Sequence, residues 1–251
     1  MTDDLERIHA FEHAVDMAGT ETVPSPLGHG VLTPEVPLPH DSNFLFVDRV
    51  RDATEAIAEA DRILGGAGRS HRVIVTFDDE LVERLRPEFD ALGWRTMRHI
   101  FMAQLRDPEK TADLSLVREV DQAALRPGRI RRILAEPWGN PELAEQILDR
   151  KILLAERADT RFYGVAVDDE VVAWTDLYIG KDIGQVEDVA TLEEHRGKGY
   201  STAVVLRAVD EARNAGADLV YLVADEEDWP KEWYGRLGFD TVGRIYKFIA
   251  P

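Results

Sequence analysis

The chain has no cysteine among its 251 residues. That excludes disulfides, thiolate metal sites and cysteine nucleophiles, and it fits a reducing compartment. Lysine is scarce, at 6 of the 30 basic residues, and 48 acidic residues outweigh them to a net charge of −18. No basic stripe is present to hold a phosphate backbone, so nucleic acid is excluded as a partner. An acidic surface instead attracts cationic small molecules, and it equally serves solubility. No apolar run approaches the roughly 20 residues of a membrane span. The start, M-T-D-D-L-E-R, is acidic, unlike a secretory or transit peptide. A cytoplasmic protein with no membrane partner is expected, as a monomer or homodimer.

Short helices and strands alternate along the chain. Leu5, Ile8, Phe11 and Val15 predict a helix over 5–17. His9 and His13 lie four apart on it, but no third ligand or H-E-x-x-H pattern accompanies them, so no metal site is expected. Residues 24–39 hold five prolines and two glycines and read as an irregular arm. Strands are predicted at 43–50, 72–77 and 96–105, and helices at 54–64 and 80–92, the latter a candidate for a break at Pro87. Asp107–Thr111 reads as a boundary. Beyond it come a strand at 114–120 and helices at 122–134 and 141–151. Strands follow at 161–167, 171–179 and 185–192. A helix at 201–215, a strand at 219–224, a helix at 229–237 and a strand at 241–249 close the chain. The class is α/β (α+β).

The most informative stretch is Gln185–Arg207, a strand, a glycine-bearing turn R-G-K-G-Y-S and a helix. Glycines at 197 and 199 let backbone N–H groups approach an oxyanion, and a helix start favours negative charge. Arg196 and Lys198 add two cations at the same place. Downstream stands W-Y-G-R-L-G-F over 233–239. The first half carries a similar F-D-A-L-G-W over 89–94, offset by 145 residues, and its strand at 72–77 and helix at 54 match the strand at 219–224 and the helix at 202 at nearly the same offset. Residues 43–105 therefore read as a degenerate copy of the later part of the chain. Where the second half has R-G-K-G-Y-S, the first has D-R-V-R-D-A over 48–53, without glycine and with two carboxylates. Where the second has Tyr234, the first has Phe89.

This element order, the turn and Y-G-R-L-G-F resemble the GNAT superfamily of acyl-CoA-dependent N-acetyltransferases. The resemblance covers about 112–251. It implies the GNAT fold, a mixed central sheet flanked by helices, in a pseudo-tandem chain. Residues 1–110 would be a degenerate GNAT-like domain with the arm at 24–39, and 112–251 the acetyltransferase domain. It implies transfer of an acetyl group from acetyl-CoA to a primary amine by direct attack through a tetrahedral intermediate; the alternative is a CoA-binding sensor without turnover. By resemblance, Arg196, Gly197, Lys198, Gly199, Tyr200 and Ser201 seat the pyrophosphate. Val189 and Thr191 pair with the pantetheine arm along a strand that splays from 219–224, and the Val189 N–H is the oxyanion donor. Two positions depart from the family pattern. Ser201 replaces a Gly or Ala, and Glu227 stands where an Asn is frequent.

Tyr234 is the candidate general acid, its bland reading being a packed core tyrosine. Alternation places residues 185, 187, 189 and 191 on one strand face and Asp188 on the other. Gln185, near a position where some members carry a catalytic Glu, cannot act as a base. Glu187 is the candidate base, with an ammonium contact or a structural ion pair as the alternatives. Trp138, Trp174, Tyr178, Trp229 and Trp233 line an acceptor pocket or belong to the core.

Overall fold

The computed structural model describes residues 2–251, and among them eleven strands join one mixed sheet. In chain order the strands are β1 (Glu21–Ser25), β2 (Gly28–Leu32), β3 (Phe44–Val47), β4 (Val73–Thr76), β5 (Arg95–Gln104) and β6 (Val117–Glu119). They continue as β7 (Asp159–Val167), β8 (Glu170–Ile179), β9 (Ile183–Thr191), β10 (Leu219–Asp225) and β11 (Phe239–Ile249). The helices are α1 (Thr2–Met17), α2 (Ala53–Ala60), α3 (Asp79–Ala91), α4 (Gln122–Ala135), α5 (Pro141–Arg157), α6 (Tyr200–Asn214) and α7 (Pro230–Arg236). β3 and β4, F-L-F-V and V-I-V-T, are buried throughout. Such strands need helices on both faces.

That cover is divided by the pleat. On β10, Val220 and Leu222 pack beneath α6 with Ala203 and Val204, whereas Leu219 and Tyr221 join Ile8 of α1 on the opposite face. Helices α2 and α3 extend the α6 side, their residues packing with Leu45, Ile74 and Phe248. Helices α4 and α5 lie on the α1 side, where Leu125 meets Trp174 and Lys151 meets Asp176.

The strand order is β1-β2-β3-β4-β11-β5-β10-β9-β8-β7-β6. It has an internal two-fold pattern. β3 runs parallel to β4 and β9 parallel to β10, and the four strands β4-β11-β5-β10 between them are antiparallel. The closing strand of the first half, β5, pairs with β10 of the second; the closing strand of the second half, β11, pairs with β4 of the first. The repeat of the sequence is thus a repeat of the fold, with the last strands exchanged into one continuous sheet.

Three local expectations change. The proline-rich arm begins as a hairpin, with Val23 opposite Gly30 and Pro24 opposite His29. Proline is tolerated there because β1 is the sheet edge and needs no donor on its outer side. The strand over 114–120 contracts to Val117–Glu119 after a 3-10 turn at Leu114–Leu116. α3 runs through Pro87 without a break.

α1 is clamped at both ends. Arg150 of α5 donates to the carbonyls of Ala18, Val15 and Asp16 at 2.8, 3.2 and 3.3 Å. It satisfies carbonyls that a helix end leaves without partners, and its charge suits the negative end of the dipole. Arg7 donates to the Asp182 carbonyl at 3.0 Å and pairs with Asp218. His9 stacks on Phe77 at 4.2 Å and His13 meets Phe46 edge-on at 4.5 Å. Among the described residues no three ligands gather around a metal, and burial lowers both imidazoles below their ordinary value. These histidines serve as aromatic filling. No helix among the described residues is long and apolar enough to cross a membrane.

Candidate active site

β9 and β10 pair only from Ile183 opposite Leu219 to Val186 opposite Leu222. Beyond that point β9 runs on to Thr191, while β10 follows β5 as far as Asp225 opposite His99. A wedge opens between them from Glu187 onward, the splay expected from the resemblance. Its cause lies in β9. The register with β8 shifts between Trp174 and Asp176, and Asp188 adopts φ 51°. An extra residue in one strand bends that strand and re-aims its side chains. The Thr175 hydroxyl holds the bulge by donating to the Glu187 carbonyl at 2.9 Å.

The bulge overturns the expected alternation. Residues 185, 187, 189 and 191 do not share a face. Gln185 and Glu187 look toward α1, and Asp188 looks the same way, into Arg129, Lys151 and Trp174. Val189 and Thr191 turn to the other side: Val189 packs with the α6 core, and the Thr191 hydroxyl shares a hydrogen bond of 2.7 Å with Ser201. The cause is that one extra residue inverts every later side chain.

On the α6 side, Gly197 and Gly199 have φ 77° and 81°, and a Cβ at either would meet nothing within 4 Å. Glycine is required there by conformation, not by crowding. Gly199 is the N-cap of α6 and offers no side-chain acceptor, so the first N–H groups of the helix carry no cap. Arg196, Gly197, Lys198 and Gly199 are exposed and Tyr200 is half-buried. Ser201 departs from the small apolar type expected at its position, yet its hydroxyl ties the turn to β9.

The corresponding turn of the first half is filled from within. Asp52 caps α2 by accepting from the Glu55 N–H at 2.8 Å. Glu55 accepts from the Arg51 N–H at 2.7 Å and Glu88 from the Ala53 N–H at 2.8 Å. Three carboxylates occupy the amides that remain open at α6.

Tyr234 lies on α7, 8% exposed, against Trp233 and Phe239. Burial raises its phenol above the ordinary value; the charges of Glu187 and Asp188 add to this and Arg132 opposes it. The hydroxyl therefore stays protonated and able to donate. Glu187 is pushed up to about 7. Burial is the main cause, Glu12, Asp188 and Asp176 push the same way, and Lys151 opposes them. Of the aromatic candidates, Trp174 and Tyr178 are buried in the core and Trp229 is exposed. Trp138 lines a cavity of about 60 Å³ between α4, α5 and the bulge, with Arg129, Arg132, Leu148, Lys151 and Asp188. Glu227 turns away to pair with Arg98 of β5 at 2.7 Å.

Beneath the bulge lies an ion network that sequence reading missed. Asp176 is fully buried and pairs with Arg129 and, at 2.7 Å, with Lys151; Lys151 reaches Asp188 at 3.3 Å. Glu12 was missed as well, although it carried a signal. It lies four residues after Ile8, on the apolar face of α1. A carboxylate on a buried stripe needs partners.

Residues 128–239 match the acetyltransferase (GNAT) family. An uncharacterised N-acetyltransferase of Bacillus subtilis, CgeE, is 29% identical over 110 residues, which are 41% of this chain and 42% of that protein. The match thus spans less than half of that relative. Among solved structures, a GCN5-related N-acetyltransferase from Kribbella flavida aligns with TM-score 0.64 at 18% identity, over 98% of this chain and 95% of that one. A functionally unknown conserved protein of Staphylococcus epidermidis gives 0.67 at 16% identity, over 93% and 94%. A tandem GNAT protein from the clavulanic acid biosynthesis pathway gives 0.57 at 16% identity, over 94% and 87%. At these identities the likeness is one of fold, and it extends over both halves.

Proposed function

We propose that the chain, whose residues 128–239 match the acetyltransferase (GNAT) family, transfers an acetyl group from acetyl-CoA to a primary amine of a small acceptor. The observation that carries this reading is the uncapped start of α6 beside the open edge of β9, against the carboxylate-filled start of α2. Acetyl-CoA supplies the acetyl group as an activated thioester. Arg196, Lys198 and the N–H groups at Gly197, Gly199, Tyr200 and Ser201 hold its pyrophosphate. The β9 edge at Val189 and Thr191 hydrogen-bonds the pantetheine arm, and the Val189 N–H donates to the thioester oxygen as charge gathers there. Glu187 accepts the proton that the amine nitrogen must lose to attack. The neutral nitrogen then bonds to the thioester carbon to give the tetrahedral intermediate. As that collapses, the C–S bond breaks and the Tyr234 hydroxyl donates to the leaving sulfur. The second proton shed by the nitrogen restores Tyr234, and the proton on Glu187 passes to solvent. Glu187, ionised above about pH 7, favours an acceptor that arrives as a cation.

Thiol release from acetyl-CoA across a panel of small primary amines, beside calorimetric titration with CoA, tests the reading. Transfer to at least one amine is expected. CoA binding without transfer to any amine would identify a sensor, and absence of CoA binding would remove the whole assignment.

Two variants test the parts. Arg196→Glu with Lys198→Glu reverses two exposed charges outside the core. Each charge-assisted contact to phosphate is worth about 1.5–3 kcal/mol, so calorimetric CoA affinity is expected to fall by at least 100-fold with the melting temperature unchanged. Unchanged affinity would refute the pyrophosphate seat. Tyr234→Phe keeps the ring packing and removes the proton. Turnover is expected to fall about 100-fold while CoA affinity stays within about twofold; an unaltered rate removes Tyr234 from the chemistry.

A further inference from the structure

α1 lies outside residues 128–239, yet it brings a carboxyl group to the mouth of the wedge. Glu12 is 8% exposed. Its Oε1 accepts from the Tyr221 hydroxyl at 2.7 Å and from Gln185 Nε2 at 2.9 Å. The same Gln185 nitrogen donates to Glu187 Oε2 at 3.4 Å. One buried amide therefore bridges two carboxyl groups, one from each half of the chain. An amide NH2 has two hydrogens, so each carboxyl group receives one. Where the two carboxyl groups are ionised, the amide nitrogen is the end that suits them, because the amide oxygen would be repelled by either carboxylate. Gln185 Oε1 is accordingly left buried without a partner.

We propose that Glu12 is a positioning residue for Glu187, holding the Gln185 amide and through it the Glu187 carboxyl group at the point where β9 leaves β10. The inference rests on the reading of Glu187 as the base. It also accounts for glutamine at 185. A glutamate there would set three carboxyl groups together with no donor between them, whereas glutamine supplies a donor to each neighbour. The base is then the next residue on that face, two positions along.

Other charges face Glu187, and they set the background for the test. Asp176 and Tyr178 approach from β8, Asp188 from β9, Tyr234 from α7 and Tyr221 from β10. Lys151 of α5 and Lys247 of β11 pull the opposite way. All of them stay in place when Glu12 alone is changed. Glu187 and Glu12 are raised to about 7 and about 8, and two carboxyl groups joined through one amide titrate as a pair.

The test is a carboxyl-carbon NMR titration of the intact chain labelled with ¹³C-glutamate, the Glu187 signal being assigned by its loss in Glu187→Gln. The wild-type signal is expected to move in two steps, near pH 7 and near pH 8. In Glu12→Gln the second step is expected to vanish. Tyr221→Phe keeps both carboxyl groups but removes a hydrogen bond that favours ionised Glu12. It is expected to keep both steps and move the second upward, which also covers the case in which Glu12→Gln fails to fold. On the best amine of the panel, Glu12→Gln is expected to lower kcat about tenfold at pH 7 with the acetyl-CoA KM unchanged. A Glu187 titration that is single in the wild type and unmoved in Glu12→Gln and Tyr221→Phe overturns the coupling. The titration needs neither acceptor nor turnover. Full transfer by Glu187→Gln beside a two-step titration would therefore mark failure of the base assignment alone.

Discussion

Glu187→Gln is expected to lower kcat/KM by about 100- to 10,000-fold, the usual worth of general acid–base catalysis, and to abolish the rising limb of the pH–rate profile. The sign follows from burial. Desolvation favours the neutral carboxyl group and pushes Glu187 up to about 7. Below that pH it is protonated and cannot accept a proton, so wild-type activity should rise with pH and reach half its plateau near pH 7. The glutamine variant keeps the shape and a donor and acceptor, but has no ionisation. Its residual rate should be flat across this range. Stability supplies an independent check. A carboxyl group raised above its unfolded value near 4.5 contributes stability that is fully present below that value and lost as pH rises through about 7. Glu187→Gln should therefore melt like the wild type at pH 4.5 and above it at pH 8. A variant with full rate and an intact rising limb would transfer the base role to water or to another group.

The parts of this site that sequence could disclose are local in the chain. Arg196–Ser201 is one turn, and its glycines were readable because their conformations leave few substitutes. Tyr234 stands five residues before Phe239 in a motif that folds as one helix and the following strand. The face of Glu187 was predicted, but the faces of Asp188, Val189 and Thr191 were not. The bulge that sets them depends on Thr175 and on Arg129 and Lys151, which come from other elements. The degenerate turn of the first half shows the same division. Its lack of glycine was visible in Asp48–Ala53. That Glu88, 35 residues away, would fill the Ala53 N–H was not. Glu12 and Gln185 are 173 residues apart, so their pairing exists only in the folded sheet.

Cutting the chain between 110 and 112 is expected to leave two pieces that do not fold alone and that recover CoA binding when expressed together. The sequence divides there, but the sheet does not. Residues 1–110 would lack β11, which separates β4 from β5 and pairs with both. Phe89 would lose Phe248, stacked on it at 4.1 Å, and β4 would present an apolar edge to solvent. Residues 112–251 would lack β5, whose Ile100 and Met102 sit in the same core as Val220, Leu222 and Phe239. They would also lack α1, leaving Tyr221 and Gln185 without Glu12. β10 and β11 would then have no common neighbour, and β10 is one wall of the wedge. Each piece alone should show an uncooperative melt and bind hydrophobic dye; the pair should show one cooperative transition. A folded 112–251 fragment that binds CoA as tightly as the intact chain would mean that the exchanged strands are dispensable to the site. The exchange gives the first half its place in the chain. Its turn at the start of α2 is filled with carboxylates, yet it contributes the strand beside β10 and the helix whose Glu12 reaches Gln185. A filled turn and a retained fold are therefore consistent in the first half, because the wedge between β9 and β10 is built against it.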